Sequence, residues 1–233
     1  MSIDHNTGQD SYQISDDKSL PAVFGYLEIP KSDGIHPAVI ILYGAAGWRQ
    51  DYISLAKTYS NAGFVSLVLD YFAVTGQGIT EEDKRAMWPQ WQEMIRSAVI
   101  FLKSHPSSKN QHIGIIGYSL GAFLAVSVAS SISEVKAVVD FFGGGKPETI
   151  ENDVINFPPL LILHGKEDNI VPVSNAYLLR NAVIEKGGRV EMHIYQNEQH
   201  SFSGVWSPNY SESASSDSLH KTIDFLKRQL ILI

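Results

Sequence analysis

The chain has 233 residues, of which 44% are hydrophobic, 10% aromatic and 18% charged, and its formal net charge is −7. This length and composition suit one well-buried core, so we expect a single domain spanning residues 1–233, with residues 1–10 as a flexible tail. The negative charge without a basic cluster argues against nucleic acid and anionic membrane as partners, and the absence of cysteine excludes disulfides, thiolate metal sites and a cysteine nucleophile.

The N-terminal residues, MSIDHNTGQD, are polar and acidic. They lack the basic start and apolar core of a secretory signal. The longest apolar runs, such as Ala38–Leu42, are too short to cross a bilayer. We therefore expect a cytoplasmic protein, unless an export signal preceded this sequence.

Short β-like runs alternate with longer segments of helical period. Strands are predicted at Tyr12–Ser15, Ala22–Ile29, Ala38–Tyr43, Val65–Asp70, His112–Ile116, Ala137–Phe142, Leu160–His164 and Glu191–Tyr195. This alternation predicts an α/β fold with a mostly parallel, eight-stranded sheet flanked by helices. The runs Ala38–Leu42 and Leu160–Leu163 are almost continuously apolar, so they are expected in the middle of the sheet.

The helical segments follow the strands in chain order. They are predicted at Asp51–Ala62, Glu81–Lys103, Leu120–Ser131, Asn175–Lys186 and Ser215–Leu230. The sequences NAG and EKGG mark two helix ends, since glycine commonly follows the last helical residue. The serine-rich segment SPNYSESASSDS is interpreted as a surface loop before the last helix.

The segment HIGIIGYSLGAFLAVSVAS changes from an apolar strand pattern to an alanine-rich helical pattern at Ser119. A serine at such a turn, with glycine two residues to either side, is the pattern of a nucleophile elbow. Gly117 and Gly121 meet the need for small residues where the strand and the helix pass closely. A small residue in an ordinary tight turn is the alternative reading.

A serine nucleophile needs a base and a carboxylate that orients the base. Asp168 follows a predicted buried strand in PLLILHGKEDNIVP, which places it at the carboxyl edge of the sheet. We favour Asp168 as the acid. The adjacent Glu167 is an alternative, and Asp140 is a third candidate whose simplest role is structural.

His200 follows the last predicted strand in VEMHIYQNEQHSF, again at the carboxyl edge. The other histidines are less well placed: His193 lies within a strand, and His164 is interpreted as a hydrogen-bonded structural residue. The order Ser119, Asp168, His200 is the chain order of α/β hydrolases.

An oxyanion hole needs two backbone N–H groups near the nucleophile. Leu120 directly follows Ser119 at a predicted helix start, and Ala45 lies in the loop YGAAGW after a buried strand. We expect these two residues to supply the donors. An ordinary glycine-rich turn is the alternative for the loop.

The chain resembles the dienelactone hydrolase family of α/β hydrolases from about Ala22 to Leu230. The residues that carry the resemblance are GYSLGA, LDYFA, LILHGKEDNIVP and HSF. The resemblance implies a compact hydrolase without a large lid domain.

Three departures from the family pattern bear on substrate. The founding enzymes use cysteine where this chain has Ser119, and they have an acidic residue where it has Gly44. Two arginines that hold a substrate carboxylate would fall at Val74 and Gly204. We therefore do not expect dienelactone itself to be the substrate.

The loops expected around Ser119 are rich in aromatic residues, which together suggest an apolar pocket. They are Trp48, Tyr71, Phe72, Phe142, Phe202 and Trp206. Each residue taken singly is equally well explained by core packing. Arg49, Lys146 and Lys166 are the cations that remain available to such a site.

The leading functional hypothesis is a serine hydrolase that cleaves a small to medium carboxylic ester through an acyl-enzyme, without a metal or organic cofactor. A thioesterase or a peptidase with the same triad is the second hypothesis. A ligand-binding protein that keeps the fold but not the activity is the third. The expected partner is a small-molecule ester, and a homodimer is a possible assembly.

Overall fold

The computed structural model describes residues 12–13, 24–73, 80–148 and 150–231. The expected tail, residues 1–10, lies outside the described residues. Within the described ranges, no helix combines the length and the apolar character needed to cross a bilayer.

Within these ranges, eight strands form one sheet in the order β1-β2-β4-β3-β5-β6-β7-β8. The strands are β1 (Tyr12–Gln13), β2 (Phe24–Glu28), β3 (Ala38–Leu42), β4 (Val65–Leu69), β5 (Ile113–Tyr118), β6 (Val135–Phe141), β7 (Leu160–Gly165) and β8 (Val190–Tyr195). Strands β3 to β8 pair in parallel, whereas β2 runs antiparallel to both β1 and β4. The predicted α/β fold with a mostly parallel sheet is confirmed.

In the described part of the chain, six helices connect or follow the strands. They are α1 (Gln50–Asn61), α2 (Glu81–Ser104), α3 (Leu120–Ala129), α4 (Ile150–Asp153), α5 (Ser174–Glu185) and α6 (Glu212–Leu230). Five of them match the predicted helices, and α4 is an additional single turn. A four-residue turn is too short to show a helical period in the sequence.

The two faces of the sheet carry different helices, as two glycines of β5 show. A Cβ at Gly117 would meet α3 at Ala122, whereas a Cβ at Gly114 would meet α6 at Leu226. Residues an odd number of positions apart in a strand point to opposite faces. The sheet is therefore covered on both sides, which explains why β3, β4, β5 and β7 are fully buried.

The last helix begins earlier than predicted, and the serine-rich segment before it is largely helical. Helix α6 starts at Glu212 rather than Ser215, with Ser211 as its N-cap residue. The serine hydroxyls bond to nearby carbonyls, as Ser218 does to Ser215 O at 2.9 Å and Ser215 does to Ser203 O at 3.1 Å. Serine lowers helix propensity only modestly, so its abundance was a poor reason to predict a loop.

Parallel pairing brings the carboxyl ends of β5, β6, β7 and β8 side by side along one edge of the sheet. The residues that follow these strands therefore meet in space although they are distant in sequence. No additional domain interrupts the described connections between strands.

Candidate active site

Ser119 occupies the sharp turn between β5 and α3. Its backbone angles are φ 52° and ψ −116°, a conformation that residues with a side chain rarely adopt. The Ser119 N–H donates to the carbonyl of Phe141 at 2.9 Å, which links the turn to the end of β6. The turn is thus a strained element that neighbouring strands hold in place.

Two glycines allow α3 to pack closely against the sheet. A Cβ at Gly117 would lie 2.4 Å from the Cα of Ala122, and a Cβ at Gly121 would lie 2.3 Å from the carbonyl oxygen of Leu42. Both distances are too short for any carbon contact. Small residues are therefore required on both sides of Ser119, and at Gly121 the reason is the backbone of β3.

The side chains of Ser119, His200 and Asp168 lie in one chain of hydrogen bonds. His200 Nε2 is 3.0 Å from Ser119 Oγ, and His200 Nδ1 is 2.7 Å from Asp168 Oδ2. Because an ionised carboxylate only accepts hydrogen bonds, Nδ1 carries a proton. The Nε2 atom of the neutral imidazole is then free to accept the proton of the Ser119 hydroxyl.

The carboxyl group of Asp168 is buried and held by several donors. Its Oδ1 accepts the backbone N–H groups of Ile170 at 2.9 Å and Val171 at 2.8 Å. Burial alone raises the pKa of Asp168, but hydrogen bonds from His164, His200 and Val171 outweigh it and hold the pKa well below its usual range. The carboxylate is therefore ionised at neutral pH.

The two alternative acids are differently placed. Glu167 is exposed, whereas Asp168 is buried beside the imidazole. Asp140 is buried in β6, where its Oδ1 accepts the N–H of Gly143 at 2.9 Å. Among the described carboxylates, Asp168 is the one that contacts His200.

His200 is positioned by the short segment after β8. The side-chain amide of Asn209 donates to the carbonyl of His200 at 3.0 Å. The ring of Phe142 packs edge-to-face against the imidazole, with centroids 5.1 Å apart. Phe142 and Ser201 both have positive φ, 41° and 63°, so the backbone on either side of the imidazole is held in unusual conformations.

His164 contacts the candidate acid, a role that the sequence reading did not give it. Its side chain is fully buried, and its Nε2 lies 2.9 Å from the carbonyl of Val171 and 3.3 Å from Asp168 Oδ2. Since both neighbours are acceptors, Nε2 carries a proton. The position of His164 one residue before the glycine of the acid loop was the available signal.

The predicted oxyanion loop runs directly against Ser119. A Cβ at Gly44 would lie 3.3 Å from Ser119 Cβ, and the Gly44 N–H already donates to the hydroxyl of Tyr52 at 3.3 Å. The next residue, Ala45, is exposed in the wall of a cavity. Leu120 is the first residue of α3, where backbone N–H groups have no partner within the helix.

A cavity of about 520 Å³ opens above the Ser119 hydroxyl. Its walls come from the loop at Gly44–Ala46, one face of α1, the end of β6 and residues 200–206. This volume is typical of a small-molecule site.

Two of the six predicted pocket aromatics, Phe142 and Trp206, line this cavity. Phe142 stands beside His200, and Trp206 lies in the segment that follows it. The family position at Val74 lies outside the described residues.

The other four predicted aromatics do not line the cavity, so their assignment was wrong. Tyr71, Phe72 and Phe202 are fully buried in the core. Trp48 packs edge-on against Tyr43, with ring centroids 6.2 Å apart. Tyr71 and Phe72 closely follow β4, as pocket residues do, but their side chains are buried in the core.

Helix α1 supplies a cavity wall that the sequence reading missed. Asp51, Ser54, Leu55 and Thr58 all line the cavity. They repeat at intervals of three and four, so they share one face of the helix. This spacing was visible in the sequence, but only the sheet topology shows that the face turns toward Ser119.

Comparisons with known proteins agree with this architecture. The model of the "Dienelactone hydrolase family" matches residues 23–230. The chain is 26% identical over 216 residues to carboxymethylenebutenolidase of Pseudomonas sp. (strain P51), which covers 87% of this chain and 89% of the relative.

Two further proteins extend the comparison. Acyl-coenzyme A thioesterase 1 of Mus musculus is 27% identical over 166 residues, covering 69% of this chain but 37% of the thioesterase. A crystal structure described as a putative dienelactone hydrolase from Klebsiella pneumoniae subsp. pneumoniae MGH 78578 superposes with a TM-score of 0.79 at 17% identity, covering 89% of this chain and 94% of the other.

Proposed function

The chain belongs to the dienelactone hydrolase family and is a hydrolase, and on this premise we propose that it cleaves small to medium carboxylic esters by serine catalysis. Ser119 is the nucleophile, His200 the general base and acid, and Asp168 the carboxylate that orients His200. The observation that supports these roles most directly is the unbroken hydrogen-bond chain from Ser119 Oγ through the imidazole to Asp168 Oδ2.

In the first half of the reaction, Ser119 Oγ attacks the ester carbonyl carbon while His200 Nε2 takes the hydroxyl proton. The resulting imidazolium is stabilised by the Asp168 carboxylate, which stays ionised because its pKa is held low. The N–H groups of Ala45 and Leu120 donate to the oxyanion. The tetrahedral intermediate collapses, the imidazolium protonates the leaving alkoxide, and an acyl-Ser119 remains.

In the second half, water replaces the alcohol. His200 Nε2 removes a proton from water as its oxygen attacks the acyl carbon, and the same proton returns to Ser119 Oγ when the acid leaves. Every proton transfer is internal to the site, so this mechanism uses no metal or organic cofactor.

The experiment that tests this proposal is labelling with a fluorophosphonate probe, followed by peptide mapping and ester assays. We expect the probe to modify Ser119, and we expect the Ser119→Ala variant to lose both labelling and ester hydrolysis. The matched control is Ser104→Ala, which changes an exposed serine at the end of α2 and should behave as wild type. A folded protein with an unmodified Ser119 would refute the proposal.

A thioesterase is the second candidate, because a thioesterase is among the relatives that share the sequence pattern. The same serine chemistry acts on a thioester, with a thiolate as the leaving group. Parallel kcat/KM values for an oxygen ester and a thioester with the same acyl group would rank the two functions. An aminoacyl amide in the same series tests the peptidase hypothesis.

A further inference from the structure

The ionisable groups of the cavity wall favour one class of substrate. Among the described lining residues, His200 and Asp51 are the two that can carry charge, and no lysine or arginine lines the cavity. Residues 74–79, which lie outside the described ranges, have the sequence VTGQGI and contain no charged residue. Substrates with a carboxylate or phosphate therefore find no lysine or arginine on the part of this wall that the structure describes.

Asp51 places a carboxylate in the cavity wall. It lies in the first turn of α1, on the face that also presents Leu55 and Thr58. Within the described chain, Asp51 makes no salt bridge with a lysine or arginine. Its charge therefore acts on whatever enters the cavity, and it disfavours an anion.

A second part of the wall has no room for a longer side chain. A Cβ at Gly204 would lie 2.8 Å from Nε1 of Trp206, so the indole ring fills the space that a side chain at residue 204 would need. Arg49 lies nearby, with its Cζ 4.6 Å from the centroid of the Trp206 ring, but it is not a lining residue. Its charge lies against the ring of a lining residue and lowers the pKa of Tyr52, whereas the Asp51 carboxylate raises it, so of these two opposite charges the one in the wall itself belongs to Asp51.

We infer that this cavity selects uncharged esters with an apolar acyl or alcohol group and rejects esters that carry a carboxylate or phosphate, with Asp51 as the specificity-determining residue. This inference rests on the proposed ester hydrolysis and adds the substrate class. The same rule extends to thioesters, so the thioester of a phosphate-bearing thiol carrier is expected to be a poorer substrate here than the thioester of an uncharged thiol.

The size and the lining of the cavity indicate which uncharged acyl or alcohol group of a substrate would fit. Asp51 and Thr58 are seven positions apart in α1, a rise of roughly 10 Å along the helix. Leu55, Ile170 and Trp206 give the cavity its apolar surface. A straight acyl chain of medium length fits this space, with its reacting carbonyl at Ser119.

The test compares two 4-nitrophenyl esters of similar length, the uncharged hexanoate and the anionic monoester of adipic acid. In wild type, we expect kcat/KM for the hexanoate to exceed that for the adipate monoester by about tenfold or more. The ratio should fall several-fold in Asp51→Asn and further in Asp51→Lys. Because the Debye length shrinks to about 3 Å at 1 M salt, high salt should narrow the wild-type ratio.

The matched control is Asp224→Asn, which removes one negative charge from an exposed position on α6 and should leave the ratio unchanged. An adipate monoester that is turned over as well as the hexanoate would overturn the inference, as would a ratio that neither Asp51 variant alters. In either case, ester hydrolysis that is lost in the Ser119→Ala variant would leave the proposed function intact. Absence of such turnover for every ester would instead overturn the proposed function, and the inference with it.

Discussion

At the residue scale, the candidate site combines a serine in a strained turn with a histidine that is held from several directions. Ser119 keeps a positive φ because β5, β6 and the first turn of α3 fix the backbone around it. His200 is fixed by Asp168, Phe142 and Asn209. Such support lowers the reorganisation that a reaction would require, since the groups already stand in reacting geometry.

His164 supplies a prediction at this scale. Its Nε2–H donates to the carbonyl of Val171 and faces Asp168 Oδ2, so it helps to fix the position of the loop that carries Asp168. We expect His164→Leu to lower kcat by about 10- to 100-fold with little change in KM, because a small displacement of Asp168 misorients the base. His164→Gln keeps an N–H donor and should restore part of the activity.

Steady-state kinetics on the hexanoate ester would measure this effect, with far-UV circular dichroism to verify folding. The control is His193→Gln, which changes a half-buried histidine in β8 and should retain wild-type kcat. Equal losses in His164→Leu and His164→Gln would argue against a donor role, as would a change confined to KM.

At the element scale, periodicity and glycine position predicted most of what the structure contains. The strand and helix patterns gave the parallel sheet, and GYSLGA gave the turn at Ser119. Side-chain direction was harder to predict: Tyr71 and Phe72 follow β4 as pocket residues would, yet they pack into the core. The lining face of α1 was missed because helical spacing shows that residues share a face, but not what the face contacts.

Gly121 offers a test of the close packing between α3 and β3. A Cβ at this position would meet the carbonyl of Leu42 at 2.3 Å, and a backbone carbonyl cannot rotate away as a side chain can. We expect Gly121→Ala to lower the free energy of unfolding by about 1–3 kcal/mol through overpacking. It should also lower ester turnover, because α3 begins directly after Ser119.

Urea denaturation would measure the change in the free energy of unfolding. Gly63→Ala is the comparison, since Gly63 has a φ of 100° but nothing within 4 Å of an added Cβ. Its cost comes from backbone conformation alone, so it should leave turnover nearly unchanged. A Gly121→Ala protein with wild-type stability and activity would show that α3 can move away from β3 without consequence.

At the scale of the whole molecule, three buried ionisable groups titrate in separate pH ranges. The depressed pKa of Asp168 contributes stability that is present above its ordinary value of 3.8 and lost as pH falls below it. Burial alone lowers the pKa of His164, but hydrogen bonds to Asp168 and Val171 raise it overall above 6.5, so its contribution is lost only above that pH. Asp140 titrates between these two ranges. The pKa values of His105 and His193 are also lowered from 6.5, so a comparison of wild type with a variant changed only at residue 140 isolates the contribution of Asp140.

Asp140 therefore gives the last prediction, a pH dependence of stability. Burial raises its pKa from 3.8 to about 6, against the opposing effects of His164 and two backbone N–H groups. Between these values the folded chain keeps a proton that the unfolded chain releases, so the free energy of unfolding falls as pH rises, by roughly 3 kcal/mol in total. Asp140→Asn cannot titrate and removes this slope.

Urea denaturation at pH 4.5, 5.3 and 6.2 should therefore show the variant gaining stability relative to wild type as pH increases, whatever its absolute stability. Asp224→Asn, at an exposed carboxyl, should keep the wild-type slope, and a pH-independent difference between Asp140→Asn and wild type would contradict the prediction.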